Sequence, residues 1–348
     1  MSKLRIPAAF SILLMATSAY SGPVPGYAET TLVTSATDPD LVNPWGISFS
    51  ASSPFWVSDN GTGKTTLYNT SGTKLGLVVS MPAGSPNITG QVFNGTAAFN
   101  ADNFIFATEN GTINGWRGAL GTTAETLFTV AGAEYKGLAI STAKDTLYAA
   151  NFATGAIDVF NSSGRTGSFT DPNAPAGYAP FNVENIQGKF YVTYALRGPT
   201  GDDVAGAGHG FVSVFDPTNH TFTRLVSQGA LDSPWGLAIA PLSFGPLGGD
   251  LLVGNFGDGT INAFDTTGNF IGTLAELNGT PLVEDGLWGL TFGNGGNGGL
   301  AGSLYFTAGP NGETGGVFGR IDAVPEPSSM LLMVVAGAML AARRLVSR

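Results

Sequence analysis

The chain has 348 residues, of which 51 are Gly, 20 Pro and none Cys; 43% are apolar, 11% charged, and the formal net charge is −10. Without a Gly-X-Y period it is not collagenous, and its apolar content is too high for a disordered chain. Lack of Cys excludes a disulfide framework, thiolate metal sites and a cysteine nucleophile, and two His cannot build a histidine cage.

Residues 1–28 read as a secretory signal: Lys3 and Arg5 form a basic start, residues 8–16 an apolar stretch, and small residues offer cleavage after Ala19 or Ala28. Residues 30–34 then form a strand with no hairpin partner of their own. From there one phrase recurs six times: a Gly-containing strand, a turn, a second apolar strand ending in Asn or a small residue, a Gly-rich turn, and a third strand. The copies run through residues 43–68, 96–116, 137–160, 180–216, 234–265 and 287–322, and a fourth strand follows in the first five. The period, ~49 residues from Trp45 to Trp288, is that of a four-stranded propeller blade. The expectation is an all-β, six-bladed β-propeller over residues 29–323, with four antiparallel strands per blade. Residues 30–34 supply the missing strand of the last blade and close the ring, removing open sheet edges. Trp45, Trp235 and Trp288 are expected to wedge between adjacent blades.

Three features bear on chemistry. Asn182 and Glu184 stand where the other copies have Gly and a small residue, and an acid near the axis is desolvated, suiting a base or a ligand. A Gly-rich insertion over residues 197–210 carries Asp202, Asp203 and His209. Asn60, Asn110, Asn151 and Asn255 follow the second strand of four copies. Amide oxygens there suit Ca²⁺, whereas the same side chains also suit bonds to the turn backbone. The catalytic candidates are therefore Glu184, Asp202, Asp203 and His209, and the metal candidates Asn182, Glu184, Asp202, Asp203 and Asn255, with Ca²⁺ the candidate cofactor. No Gly-x-Ser-x-Gly elbow is present, and the phosphate-loop-like residues 61–65 fall in a hairpin turn with no helix behind them.

At the C-terminal end, residues 324–348 place Pro325, Glu326 and Pro327 before an apolar run, 330–342, and then Arg343 and Arg344. Extended by Ser328, Ser329 and the snorkelling arginines, the run is expected to make a short membrane span with the arginines on the cytoplasmic side. This arrangement resembles the PEP-CTERM sorting signal of exopolysaccharide-producing Gram-negative bacteria. The resemblance implies transient membrane anchoring and processing by an exosortase near Pro325–Glu326–Pro327. Removing both ends leaves a body with a formal charge of about −14 and no basic cluster, which excludes nucleic acid as a partner. The Pro-x-Gly-Ile/Leu-Ala/Ser openings and Leu-x-Val-x-Asn strands resemble NHL-type and gluconolactonase-like propellers, and the whole body resembles an uncharacterised exported PEP-CTERM family with a loop like Asp202 to Gly206. Lactonase-like relatives hold a divalent cation with a Glu, Asn and Asp set; here the first Glu position falls near residues 41–45, which contain no Glu. The resulting expectation is an exported, non-catalytic binding module of the envelope or extracellular matrix, with a polysaccharide or envelope protein as its ligand. The alternative is a metal-dependent hydrolase or lyase of the lactonase-like class.

Overall fold

A computed structural model describes residues 22–324; the sorting residues Pro325, Glu326, Pro327, Arg343 and Arg344 and most of the leader lie outside the described residues. Strand β1 (Pro23–Thr34) comes first. Hairpin-linked groups follow: β2 (Pro44–Ser48), β3 (Phe55–Asp59), β4 (Lys64–Tyr68) and β5 (Lys74–Ser80), then β6 (Ile88–Phe93), β7 (Phe104–Thr108), β8 (Thr112–Trp116) and β9 (Glu125–Thr129). The next are β10 (Tyr135–Ile140), β11 (Leu147–Asn151), β12 (Ala156–Asn161) and β13 (Gly164–Phe169), and β14 (Tyr178–Ile186), β15 (Lys189–Leu196), β16 (Gly210–Asp216) and β17 (Thr221–Ser227). Last come β18 (Pro234–Ile239), β19 (Leu251–Asn255), β20 (Ile261–Phe264) and β21 (Phe270–Glu276), and β22 (Leu287–Phe292), β23 (Leu304–Ala308) and β24 (Val317–Ala323).

Each of the first four groups is a separate four-stranded sheet, and the remaining strands form one sheet ordered β18-β19-β20-β21-β1-β24-β23-β22. β1 is the joint. It runs antiparallel to β24 through Tyr27–Thr34 and parallel to β21 through Pro23–Tyr27. The N-terminal strand thus completes the last group, and it starts at Pro23, well before the expected residue 30. Tyr27 anchors the extension: it is buried, its hydroxyl donates to Phe244 O at 3.1 Å and accepts from Leu247 N at 3.2 Å.

The first strands of the groups pack side by side in a closed cycle, β2 beside β6, β10, β14, β18, β22 and again β2. Second strands are buried along nearly their whole length, as the continuous run Phe55-Trp56-Val57 requires, third strands mostly so except β24, while the fourth strands β5, β9 and β13 are half exposed. The core is accordingly a set of layers between neighbouring sheets: Trp56 and Leu67 meet Phe104, Phe106 and Trp116, and Phe55 and Tyr68 meet Tyr305 and Phe318 across the closing point. Glycine is demanded where first strands cross. A Cβ on Gly46 would lie 2.7 Å from Thr89 O, and one on Gly289 2.5 Å from Trp45 O.

The second copy departs from the expected register. Its first strand is β6, whereas residues 96–99, expected to be that strand, form none, and Phe99–Ala101 make a single tight turn with Asn100 at φ 57°. Thr89-Gly90 opens β6 without the aromatic residue that marks other copies, and the Thr89 hydroxyl instead bonds Tyr135 O at 2.7 Å.

Candidate functional site

Every first strand carries a register shift at the same place. The shifts fall between Pro44 and Ile47, Ile88 and Gln91, Tyr135 and Gly137, Pro180 and Asn182, Pro234 and Gly236, and Leu287 and Leu290. A bulge of this kind re-aims the unpaired residue. The residues concerned include Trp45, Lys136, Phe181, Trp235 and Trp288, which converge on one another. Trp45 stacks on Trp288 at 3.5 Å between centroids, Trp235 meets both edge-on at 6.0 Å, and Phe181 lies 5.8 Å from Trp288. The tryptophans therefore plug the axis, where the sequence placed them between blades.

Lys136 is buried at the plug, its ammonium 5.4 Å over the Trp45 ring, paired with Glu109 and, at 2.8 Å, with Glu134. Burial works against the ammonium, but the two glutamates outweigh it and hold Lys136 above the usual lysine range. Asn60 Nδ2 donates to Glu109 at 3.1 Å, Asn43 Nδ2 to Glu313 at 2.6 Å, and Trp288 Nε1 to Asn43 Oδ1 at 2.9 Å. This end of the axis is a polar cap over an aromatic floor, mostly paired within itself, with Trp45 Nε1 and Asp203 Oδ2 buried without a partner.

The other side of the plug opens into a channel of about 460 Å³ walled by the first strands. Gly46, Gly90, Asn182, Trp235 and Gly289 line it, with Phe49, Phe93, Thr142 and Lys144 from residues at or beyond the strands' far ends. Glu184 projects from β14 with no donor reaching its carboxyl among the described residues, and desolvation pushes that carboxyl up to about 8. Ser48 and Gln91 also line it, but Ser48 Oγ and Gln91 Oε1 are turned away from the open space, buried and without a partner. The Gln91 amide cannot turn over to relieve this, because its Nε2 donates to Gly46 O and Trp56 O, both at 2.7 Å. Lys144 Nζ donates to Phe93 O at 2.8 Å, and burial pushes its ammonium down.

The residues singled out in the sequence do not form one site. Glu184 pairs with Tyr191 near the start of β15, whereas Asp203 bridges Arg197 just past the end of that strand. Six residues of extended chain, roughly 20 Å, separate the two. Asp203 lies at the plugged end near Lys136 and Ser233, with burial pushing its carboxyl up, and Asp202 is exposed. His209 folds onto its own loop, Nδ1 donating to Val204 O at 2.9 Å. Asn255 Nδ2 braces its turn against Ala230 O at 2.8 Å and Asp258 at 3.1 Å, and Asn151 Nδ2 reaches Asp158 at 2.9 Å. Asn182 ties neighbouring strands, Nδ2 donating to Trp235 O at 3.0 Å. The expected Ca²⁺ set of Asn182, Glu184, Asp202, Asp203 and Asn255 is thus split between the ends of a strand. Among the described residues no three His, Asp or Glu side chains gather to hold a metal.

Ser48, Gln91 and Lys136 escaped the sequence reading. Gln91 was legible in principle, since it interrupts the column Ile47, Leu138, Val183, Leu237 and Leu290, but the misplaced second copy hid it.

No protein-family model matches the chain. It is 34% identical over 282 residues to an uncharacterised protein of Acanthamoeba polyphaga mimivirus, covering 73% of this chain and 69% of the viral one. A second uncharacterised protein of that virus is 33% identical over 279 residues, covering 73% and 74%. Among solved structures, a streptogramin B lyase superposes with a TM-score of 0.51 at 13% identity, covering 86% of this chain and 98% of the lyase. Virginiamycin B lyase from Staphylococcus aureus gives 0.50 at 12%, covering 86% and 99%. At such identities the likeness is one of fold, an all-β propeller-like body.

Proposed function

The chain belongs to the family of these two mimivirus proteins, and we propose that it is an exported, six-bladed propeller that binds a small ligand in its one-ended axial channel without catalysing a reaction on it. The observation that carries this reading is the channel: a cavity of about 460 Å³ with an unpartnered carboxyl in its wall. Cavities of this size with a few convergent polar groups and a perturbed acid are where small ligands bind. A binding role fits better than hydrolysis because the acids that would divide acid and base work lie at opposite ends of β15. Six blades are supported by the sheet order, if the eight-stranded sheet is two blades sharing β1 as their joint.

Export is supported by the leader and by the Pro325–Glu326–Pro327, apolar and Arg343–Arg344 order at the other end. In this reading the chain is anchored briefly in the inner membrane, cut by an exosortase and released to the surface or beyond. Expression in an exosortase-bearing host tests it: the chain should be shortened at both ends and recovered from the surface fraction. Replacing Pro325, Glu326 and Pro327 by Ala should hold it in the inner membrane. Uncut protein in the cytoplasm would refute export.

A further inference from the structure

Resting on the transient membrane anchoring proposed above, we infer that the anchored propeller lies with its open face on the bilayer, Leu242 and Leu300 entering the lipid beside the point where the tail leaves. First strands run from the plug toward the channel mouth, so the loops that join them to second strands lie on the open face. Leu242, in the loop after β18, and Leu300, in the loop after β22, are 87% and 53% exposed. Their loops touch: a Cβ on Gly302 would lie 3.2 Å from Ser243 Oγ. The loop of Leu300 also docks on the one after β2, Asn294 Nδ2 donating to Ser50 O at 2.9 Å and to Ser53 O at 3.1 Å. The three loops form one continuous rim.

What covers this rim follows from where the chain goes. β24 runs toward the same face, and its last residue packs on the loop of Leu242, the Ala323 Cβ lying 3.1 Å from where a Cβ on Gly245 would stand. Residues 325–329 then separate Val324 from the apolar run that starts at Met330, a tether of at most roughly 22 Å. So short a tether holds the face it leaves against the membrane the run enters. Charge agrees. Residues 49–54, 240–249 and 293–303 contain no charged side chain, whereas the loops of the plugged face carry Glu109, Glu134, Asp202, Asp258, Asp285 and Glu313. An anionic leaflet repels the acidic face and lets the uncharged one approach. Leu277 and Val283 are also exposed, but they lie on the plugged side, in the loop after β21. The channel therefore opens toward the bilayer until the tail is cut.

Because the chain has no Cys, single cysteines can carry a fluorescent label without further changes. Leu242→Cys, Leu300→Cys, Leu277→Cys and Ala336→Cys are each exported from a host without exosortase, so that the leader is removed and the tail kept. Each is labelled with bimane and reconstituted in phosphatidylethanolamine–phosphatidylglycerol vesicles that contain nitroxide-bearing lipid. Labels at 242, 300 and 336 should lose about half of their fluorescence or more, and the label at 277 should keep its own, since a side chain at the headgroup boundary comes within reach of the nitroxide. Quenching at 277 without quenching at 242 and 300, or at none of the three while 336 is quenched, would overturn the orientation and leave the anchoring standing. An unquenched label at 336 would overturn both. Shielding of 242 from aqueous iodide without quenching by the lipid would mean that a second copy or the tail covers the rim, and would also overturn the orientation.

Discussion

Lys136 occupies a place where three other first strands carry tryptophan, and its two glutamates are what make a buried cation tolerable there. Removing one partner of a buried charge pair costs about 3–5 kcal/mol. Here Glu109 and Glu134 keep 23% and 21% of their side-chain surface exposed, so solvent tempers the loss. Lys136→Met should therefore lower unfolding free energy by about 2–3 kcal/mol in urea titration; an unchanged midpoint would make the pairing decorative. Glu184 and Glu284 set a pH dependence of the opposite kind. Burial raises both carboxyls to about 8, Glu284 also by its proximity to Glu29. The folded chain therefore holds protons that the unfolded chain releases at ordinary carboxylate pH. Their contribution is fully present below about pH 4.5 and is lost as pH rises through about 8. Glu184→Gln should gain Tm over the parent at pH 8.5 and not at pH 4, with Lys144 the other ionisable group of that channel. Equal shifts at both pH values would show Glu184 to be ordinary.

Among the elements, the first strands are the most constrained, because neighbouring backbones approach too closely for a side chain at the crossing. Gly289→Ala would drive a Cβ to 2.5 Å from Trp45 O and 2.8 Å from Thr307 Oγ1. Since the obstacle includes backbone, the cost should be at least about 2 kcal/mol. Gly76→Ala, on half-exposed β5 with nothing within 4 Å, is the control and should be neutral by thermal melting. Strand β1 makes a prediction about processing. Cleavage after Ala28 would strip the residues that pair with β21, together with buried Tyr27. Cleavage after Ala19 preserves them, so Edman sequencing of exported protein should begin at Tyr20, and a chain starting at Glu29 should melt markedly lower. Indistinguishable melting curves would mean that the β1–β21 contact contributes little.

At the scale of the whole molecule, closure and plugging are separate events. β1 fastens the outer circumference, while Trp45, Trp235 and Trp288 fill the centre, and the two together leave a cavity open from one side only. Much of this was legible in the chain: the repeat predicted groups of four strands, and the unassigned segment before the first copy predicted the joint; of the Asn residues after second strands, Asn255 holds its turn, whereas Asn60 reaches Glu109 and Asn151 reaches Asp158. The second copy was misplaced because Thr89-Gly90 lacks an aromatic and Phe99, though buried, sits in a turn. The candidate site was less legible. Glu184 was visible as an exception to a repeated pattern, but its grouping with Asp202 and Asp203 was not testable without the register of β14 on β15.

What the amino-acid order decided alone is the strand count per group, the turn positions and the oddity of an acid on a first strand, because these follow from local periodicity and from residues that only turns accept. What needed the tertiary structure is which residues face the axis. A one-residue shift in each first strand turns Trp45, Phe181, Trp235 and Trp288, and in β10 Lys136, inward, and such shifts arise from the packing of neighbouring sheets, so no stretch of sequence announces them.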